Sequence, residues 1–299
     1  MTSLAKLLVE TLAAAGVTRI WGVTGDSLNA VDGALRENGK IAFMHVRNEE
    51  AGAFASGAEA AVTGKLAVCA GSCGPGNLHL INGLYDCYRN RVPVLAIASH
   101  IPSTEIGLGF FQETHPTKLF EECSDFCELV TTPKQMPGVL HRALRTAIGQ
   151  NTVSVIVIPG DVSLQEFDGN TPVFVPPSPV RRVPVDADIA AAADLLNGSR
   201  NVTILAGAGT AGAHDEVVAL ADALKAPIVH AFRGKEVMEW DNPFDVGMTG
   251  LIGFSSGYQA MKDCDTLLML GTDFPYRNFY PEGAKVIQVD REPGALGKR

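Results

Sequence analysis

The chain has 299 residues, 46% hydrophobic and 19% charged, a composition of packed globular protein rather than of a disordered chain. At about 150 residues per domain the length predicts two domains, each able to bury a core without a disulfide or metal staple. Twenty-four Lys and Arg against 33 Asp and Glu give a net charge of −9 with no basic run, which argues against a nucleic acid or an anionic membrane surface as partner. No apolar run reaches the ~20 residues that a membrane span needs. Residues 1–6 offer no secretory leader. The six cysteines, at 69, 73, 87, 123, 127 and 264, form no CxxC and have no His at zinc spacing. They read as reduced, buried thiols of a cytoplasmic protein.

In chain order, short β-branched runs fall at residues 19–23, 42–46, 66–70, 94–98, 153–158, 202–205, 227–231, 266–270 and 285–289. Most are apolar on both faces, as parallel strands covered by helices on each side are. Helical patterns lie between them, among them 3–15, 50–62, 189–196 and 215–224. The alternation predicts an α/β protein with two doubly wound parallel-sheet (Rossmann-like) domains. Residues 166–188 interrupt it with five prolines, at 172, 176, 177, 179 and 184. They read as an extended connector between a first domain, residues 1–165, and a second, residues 189–299.

The turns after the strands carry the motifs. Gly22-Val23-Thr24-Gly25-Asp26-Ser27-Leu28-Asn29 passes from strand through turn to helix, and Asp26 or Ser27 is placed to cap a helix beginning near Leu28. In Arg47-Asn48-Glu49-Glu50, Asn48 is the candidate N-cap, and acids in the first turn favour the helix dipole. Open α/β sheets bind ligands at the carboxyl ends of their strands, so Glu49 is also placed to meet a ligand. Spacing alone leaves both readings open. Ala70-Gly71-Ser72-Cys73-Gly74-Pro75-Gly76-Asn77 has three glycines that admit close backbone approach and a proline that stiffens the turn. It lacks the Lys-Ser/Thr ending of a P-loop and reads as a tight turn or a ligand loop.

Gly207-Ala208-Gly209-Thr210-Ala211-Gly212 is a literal GxGxxG, yet the following strand runs into Phe232-Arg233-Gly234-Lys235 instead of an acid that would grip a ribose. An ordinary nicotinamide site is therefore disfavoured, and a phosphate-rich nucleotide held by the glycines, Arg233 and Lys235 stays open. Residues 248–253, 270–277 and 288–290 each pass for plain turns. Together they bring Gly, Thr, Arg and Asp to one sheet edge, with Asp290 placed to accept ribose hydroxyl hydrogen bonds, and predict a nucleotide in the second domain. The seven histidines form no HExxH, and no GxSxG is present.

Read together, the segments IWGVTGDSLN (20–29), AVCAGSCGPGNLHLING (67–83), FQETHP (111–116), RGKE (233–236), MTGLIGFSSG (248–257) and FPYR (274–277) resemble the thiamine-diphosphate-dependent 2-oxo-acid enzymes of the pyruvate oxidase and acetolactate synthase type. The resemblance is strongest to the quinone-linked pyruvate oxidase branch and covers essentially the whole chain. It implies that the first domain binds the aminopyrimidine of thiamine diphosphate and the second binds FAD. Glu49 matches the catalytic glutamate, which hydrogen-bonds the pyrimidine N1′ and promotes removal of the thiazolium C2 proton. The implied reaction is oxidative decarboxylation of pyruvate to acetate and CO2, with electrons passed through FAD to a quinone. Gly25, Gly74, Pro75, Gly76 and Asn77 match loops that wall the thiamine cofactor, and Gln112 matches a residue near the substrate. Thr249, Gly250, Leu251, Ile252, Thr272, Asp273, Phe274, Pro275, Tyr276 and Asp290 match FAD contacts, with Gly209 and Arg233 as further candidates.

Two departures modify the expectation. Asn48 stands where the family carries His, and Asn does not titrate. The GDG…N motif that holds Mg2+ and the diphosphate is not found. The third domain, and the C-terminal segment that takes some members to membranes, are thus expected to be absent, and the chain alone is expected to turn over little. Because the family's site forms between subunits, a homo-oligomer, a tetramer in the complete enzyme, is expected. The rival readings are acetolactate synthase or another 2-oxo-acid decarboxylase, and a non-catalytic nucleotide-binding fragment or half of a split enzyme.

Overall fold

The computed structural model describes residues 2–169, 174–178 and 182–298. The chain divides into two compact units, Met1–Pro179 and Val180–Arg299.

The first unit runs β1 (Thr2–Ser3), α1 (Leu4–Ala14), β2 (Arg19–Gly22), α2 (Asn29–Asn38), β3 (Ala42–His45), α3 (Glu49–Thr63), β4 (Ala67–Gly71), α4 (Pro75–Arg89), β5 (Val94–His100), α5 (Pro116–Leu119), β6 (Phe126–Leu129), α6 (Met136–Gln150), β7 (Val153–Pro159), α7 (Gly160–Leu164) and β8 (Glu166–Phe167). Six strands form one sheet in the order β3-β2-β4-β5-β7-β6, and every neighbouring pair is parallel. All seven residues of β5 are buried, as expected of a central strand covered on both faces. Side chains alternate across a strand, and so Leu95 and Ile97 pack with Leu8 and Leu12 of α1 and Leu144 of α6. Val94, Ala96 and Ala98 meet Ala53 of α3 and Leu80 and Leu84 of α4 on the other face.

The start of the proline-rich segment belongs to this unit. Thr2 and Ser3 pair antiparallel with Phe167 and Glu166, and Phe174 is buried in the core beside α1 and α6. Arg145 Nη1 also donates to the Val175 carbonyl at 3.0 Å. A composition dominated by proline concealed these two anchoring phenylalanines. Pro172 and Pro179 lie outside the described residues.

The second unit runs α8 (Asp186–Asn197), β9 (Val202–Ala206), α9 (His214–Leu224), β10 (Ile228–His230), α10 (Lys235–Met238), β11 (Asp245–Met248), α11 (Ser255–Asp263), β12 (Thr266–Leu270) and β13 (Lys285–Val289). Its five strands are parallel in the order β11-β10-β9-β12-β13. Ile204, Ile228 and Leu268 pack with Val217 and Ala221 of α9 on one face. Leu205, Val229 and Met269 pack with Met261 of α11 on the other.

Both sheets are doubly wound, as the alternating pattern predicts. The predicted pattern misses β6 and β11, both edge strands. Edge strands are half-solvated and carry polar residues, here Glu128 in β6 and Asp245 in β11, and this breaks the apolar signature.

Among the described residues no helix is long and apolar enough to cross a membrane, and no group of three or more His, Cys, Asp or Glu is arranged to hold a metal. The six cysteines are free, and all but Cys127 are buried. Burial pushes the Cys69 thiol up to about 12 and the Cys123 thiol up to about 11, so they stay protonated and act as small apolar side chains.

Candidate functional site

In the first sheet the chain winds from β2 outward to β3, then returns to β4 on the opposite side of β2. The switch point, where open α/β sheets hold their ligands, therefore lies between β2 and β4. Residues 23–28 and 72–74 leave the strands there, and β3 delivers α3 beside them. A Cβ at Gly25 would overlap the Ser72 hydroxyl. Ser27 Oγ lies 2.9 Å from Ser72 Oγ and accepts from the Cys73 backbone N–H at 3.0 Å, while the Ser99 hydroxyl donates to the Ser27 carbonyl at 2.5 Å. Ser27 thus ties three strand exits together. Neither it nor Asp26 caps α2, which starts at Asn29 and has no side-chain cap. The capping expectation is corrected: the hydroxyl is engaged across the sheet instead.

The turn after β4 depends on Gly74, whose φ of +65° is costly for a residue with a side chain. A Cβ there would also come within 3.0 Å of the Gln112 backbone carbonyl. Gln112 is held a second time, because its Oε1 accepts from the Cys73 thiol at 3.6 Å. Pro75 opens α4 at a position where its missing N–H costs nothing. Asn77 is fully buried, and its Nδ2 donates to the Ser99 carbonyl at 2.8 Å. Its Oδ1 has no hydrogen-bond partner.

Glu49 is the first residue of α3. Asn48 caps the helix as its sequence position predicts, accepting from the Glu50 backbone N–H at 2.9 Å. Capping leaves the neighbouring carboxylate free to turn inward, and Glu49 is only 7% exposed. A Cβ on Gly76 would lie 3.0 Å from Glu49 Oε1, and Oε2 lies 3.0 Å from Nδ1 of His79. The helix dipole of α3 favours the negative charge at this end. The capping reading therefore holds for Asn48, and the Glu49 carboxylate turns toward Gly76 and His79. Sequence reasoning missed His79. Its signal was its place in α4 one turn beyond Pro75, on the helix that the glycine turn introduces.

The second unit repeats the arrangement. The winding reverses between β9 and β12, and the exits of these strands touch through glycine. Gly209 N–H donates to the Gly271 carbonyl at 2.9 Å, and a Cβ at Gly209 would lie 2.6 Å from Gly271 Cα. A Cβ at Gly207 would lie 2.5 Å from Thr272 Cβ. These glycines of the GxGxxG serve a backbone contact between two loops. The β11 exit reaches across to the same place, since a Cβ at Gly250, where φ is +110°, would meet the Phe274 ring at 3.2 Å. Thr249 is buried, with an Oγ1 that has no hydrogen-bond partner. Beside it Leu251 is 72% and Ile252 68% exposed, and Tyr276 stands edge-on to Phe274 with ring centroids 5.5 Å apart. Thr272 is buried, Asp273 half-buried and Pro275 exposed. Asp290 turns the chain after β13, its carboxylate accepting from the Glu292 N–H at 2.8 Å. Arg233 is exposed after β10, and Lys235 pairs with Glu239.

Each of the two α/β units thus brings glycine-rich strand exits to its switch point, and the first adds the buried Glu49 carboxylate. Residues 2–119 match the thiamine pyrophosphate enzyme N-terminal TPP binding domain, and residues 189–299 match the thiamine pyrophosphate enzyme central domain. The chain is 64% identical, over its whole length and 76% of the relative's, to an uncharacterized 42.6 kDa protein of Pseudomonas amyloderamosa. It is 30% identical to the pyruvate oxidase of Lactiplantibacillus plantarum and 30% identical to the acetolactate synthase large subunit of Parasynechococcus marenigrum. Each of these two alignments covers 98% of the chain and 50% of the relative, so the chain spans about half the length of both. The chain belongs to the thiamine pyrophosphate enzyme family, as its N-terminal and central domains.

Proposed function

We propose that this chain supplies the aminopyrimidine half-site and the flavin domain of an enzyme of the pyruvate dehydrogenase (quinone) or pyruvate oxidase type. The enzyme would decarboxylate pyruvate oxidatively to acetate and CO2 and pass the electrons to a quinone. The observation that carries the reading is the buried Glu49 carboxylate, with Oε1 against the bare backbone of Gly76 at the sheet's switch point.

The residues present fit the aminopyrimidine of thiamine diphosphate. The bare backbone of Gly76 lies beside Glu49 Oε1, and Asn77 Oδ1 is a buried acceptor without a partner. When bound, thiamine diphosphate supplies a nucleophilic carbon and an electron sink for decarboxylation, and FAD accepts two electrons. Glu49 Oε1 would accept a hydrogen bond from the pyrimidine when its N1′ is protonated, and so favour the proton at that atom. Burial strengthens this interaction by excluding water. Gln112, fixed by Gly74 and Cys73, would line the substrate side. In the second unit, the unpartnered Thr249 hydroxyl and the exposed Leu251, Ile252 and Tyr276 fit a flavin, which needs both apolar cover and hydrogen bonds. Thr272, Asp273, Phe274, Pro275 and Asp290 would complete that wall. Mg2+ and the diphosphate would be held by a GDG…N segment of the complete, homo-oligomeric, cytoplasmic enzyme.

Identity to acetolactate synthases at the same level as to pyruvate oxidase favours a second reading, condensation of two pyruvates. The two are separated by adding FAD to the purified chain, removing the excess and recording the absorbance, then assaying products after co-expression with a GDG…N-bearing polypeptide. Retained flavin with acetate as product supports the oxidase reading, and acetolactate overturns it.

A further inference from the structure

Glu49 does not stand alone at the head of α3. Its Oε2 lies 3.0 Å from His79 Nδ1, while Oε1 faces Gly76. The two oxygens are thus divided, one toward the His79 side chain and one toward the bare Gly76 backbone. Asn48 instead serves the helix end, its Oδ1 accepting from the Glu50 N–H. A second rung lies at the next residue of α3 and three residues further along α4, where Asn82 Nδ2 donates to Glu50 Oε1 at 2.9 Å. The helices cannot slide past this register, since Gly83 lies against Ala53 with no room for a Cβ.

We infer that His79 is the positioning residue for Glu49: its Nδ1–H holds Oε2, fixes the carboxylate rotamer and leaves Oε1 as the one acceptor offered to the aminopyrimidine. The inference rests on the reading of Glu49 given above. A carboxylate only accepts, so Nδ1 must carry the proton, and this selects the tautomer of the neutral ring. The imidazole is half-exposed, its side chain 49% accessible, whereas that of Glu49 is 10% accessible. An exposed ion pair would fix little. Here the partner that must be oriented is the buried one, and an unheld carboxylate at the head of α3 would be free to rotate away from the cofactor.

The test uses the chain, its histidines 15N-labelled, co-expressed and purified with the GDG…N-bearing polypeptide, with thiamine diphosphate and Mg2+ as the probe. Long-range proton–nitrogen correlations are expected to show His79 protonated at Nδ1 before any cofactor is added. In equilibrium dialysis His79→Leu should weaken binding by at least about tenfold, the order expected for loss of one charge-assisted hydrogen bond. His79→Asn, whose amide nitrogen falls near the place of Nδ1, should restore most of it, and thermal melts confirm that each variant is folded. A wild-type His79 carrying its proton only at Nε2 overturns the inference. So does a folded His79→Leu chain that binds as wild type while Glu49→Gln does not. If the wild type fails to bind, or Glu49→Gln binds equally well, the reading of Glu49 itself falls and takes this inference with it.

Discussion

Gly83 of α4 approaches Ala53 of α3 so closely that a Cβ at position 83 would lie 2.5 Å from the alanine Cβ and 2.8 Å from the Phe54 backbone nitrogen. The two helices that frame Glu49 therefore meet almost backbone to backbone. A glycine inside a helix normally costs about 0.5–1 kcal/mol relative to alanine. Here the alanine is excluded by packing. Gly83→Ala is expected to destabilise the first unit by about 1–3 kcal/mol, the usual cost of overpacking. Gly33→Ala in α2, where nothing lies within 4 Å of the added Cβ, is expected to stabilise it by up to about 1 kcal/mol. Urea denaturation of both variants gives the two signs.

The cap that frees Glu49 is separable from it. Asn48→Ala should cost about 1 kcal/mol by leaving the Glu50 N–H without its acceptor, and Asn48→Asp should restore the loss. Chemical denaturation of the three proteins checks the order.

Asp161 gives the first unit an acid-sensitive contact. Burial pushes its carboxyl up, but the Ser103 hydroxyl and the Ser103, Val162 and Asp161 backbone N–H groups outweigh that and hold it below the usual range. Ser103 donates to Asp161 through its backbone at 2.8 Å and its hydroxyl at 2.5 Å. A carboxyl whose pKa is lower folded than unfolded stabilises fully above the unfolded value, about 3.9, and loses that contribution as pH falls through the folded value. The Ser103→Ala chain should be less stable than wild type at pH 7. The gap should narrow below about pH 4, as melts across that range would show.

Thr249 carries a buried hydroxyl with nothing to bond. Thr249→Val removes that unsatisfied group at nearly constant volume, so the second unit should lose no stability and gain up to about 1 kcal/mol. Flavin retention should fall if the hydroxyl is kept for the cofactor. Melts and the visible absorbance after gel filtration are read on the same sample, and unchanged retention would remove Thr249 from the flavin wall.

How much of this was legible in the sequence follows from what each signal measures. The parallel sheets announced themselves because a strand such as β5, buried throughout, must be apolar on both faces. The carboxyl-edge loops were visible because only glycine tolerates contacts such as that of Gly209 with Gly271. The purpose of that glycine was not visible, since the same spacing serves phosphate binding and loop packing alike. Ser27 looked like a cap because Ser often is one, and its bonds to Ser72 and Cys73 are set by sheet order rather than by neighbours in sequence. His79 was hidden for the same reason: it is 30 residues from Glu49 and becomes its partner only when α4 packs on α3.

The central claim is that Glu49 recognises the pyrimidine N1′. It is tested most directly by comparing thiamine diphosphate with an analogue in which N1′ is replaced by CH, each titrated with Mg2+ into the wild-type and Glu49→Gln chains co-expressed with the GDG…N-bearing polypeptide. The account predicts that wild type binds the analogue at least about tenfold more weakly, and that Glu49→Gln reduces this difference sharply. The same discrimination in both proteins, or none in the wild type, would contradict it.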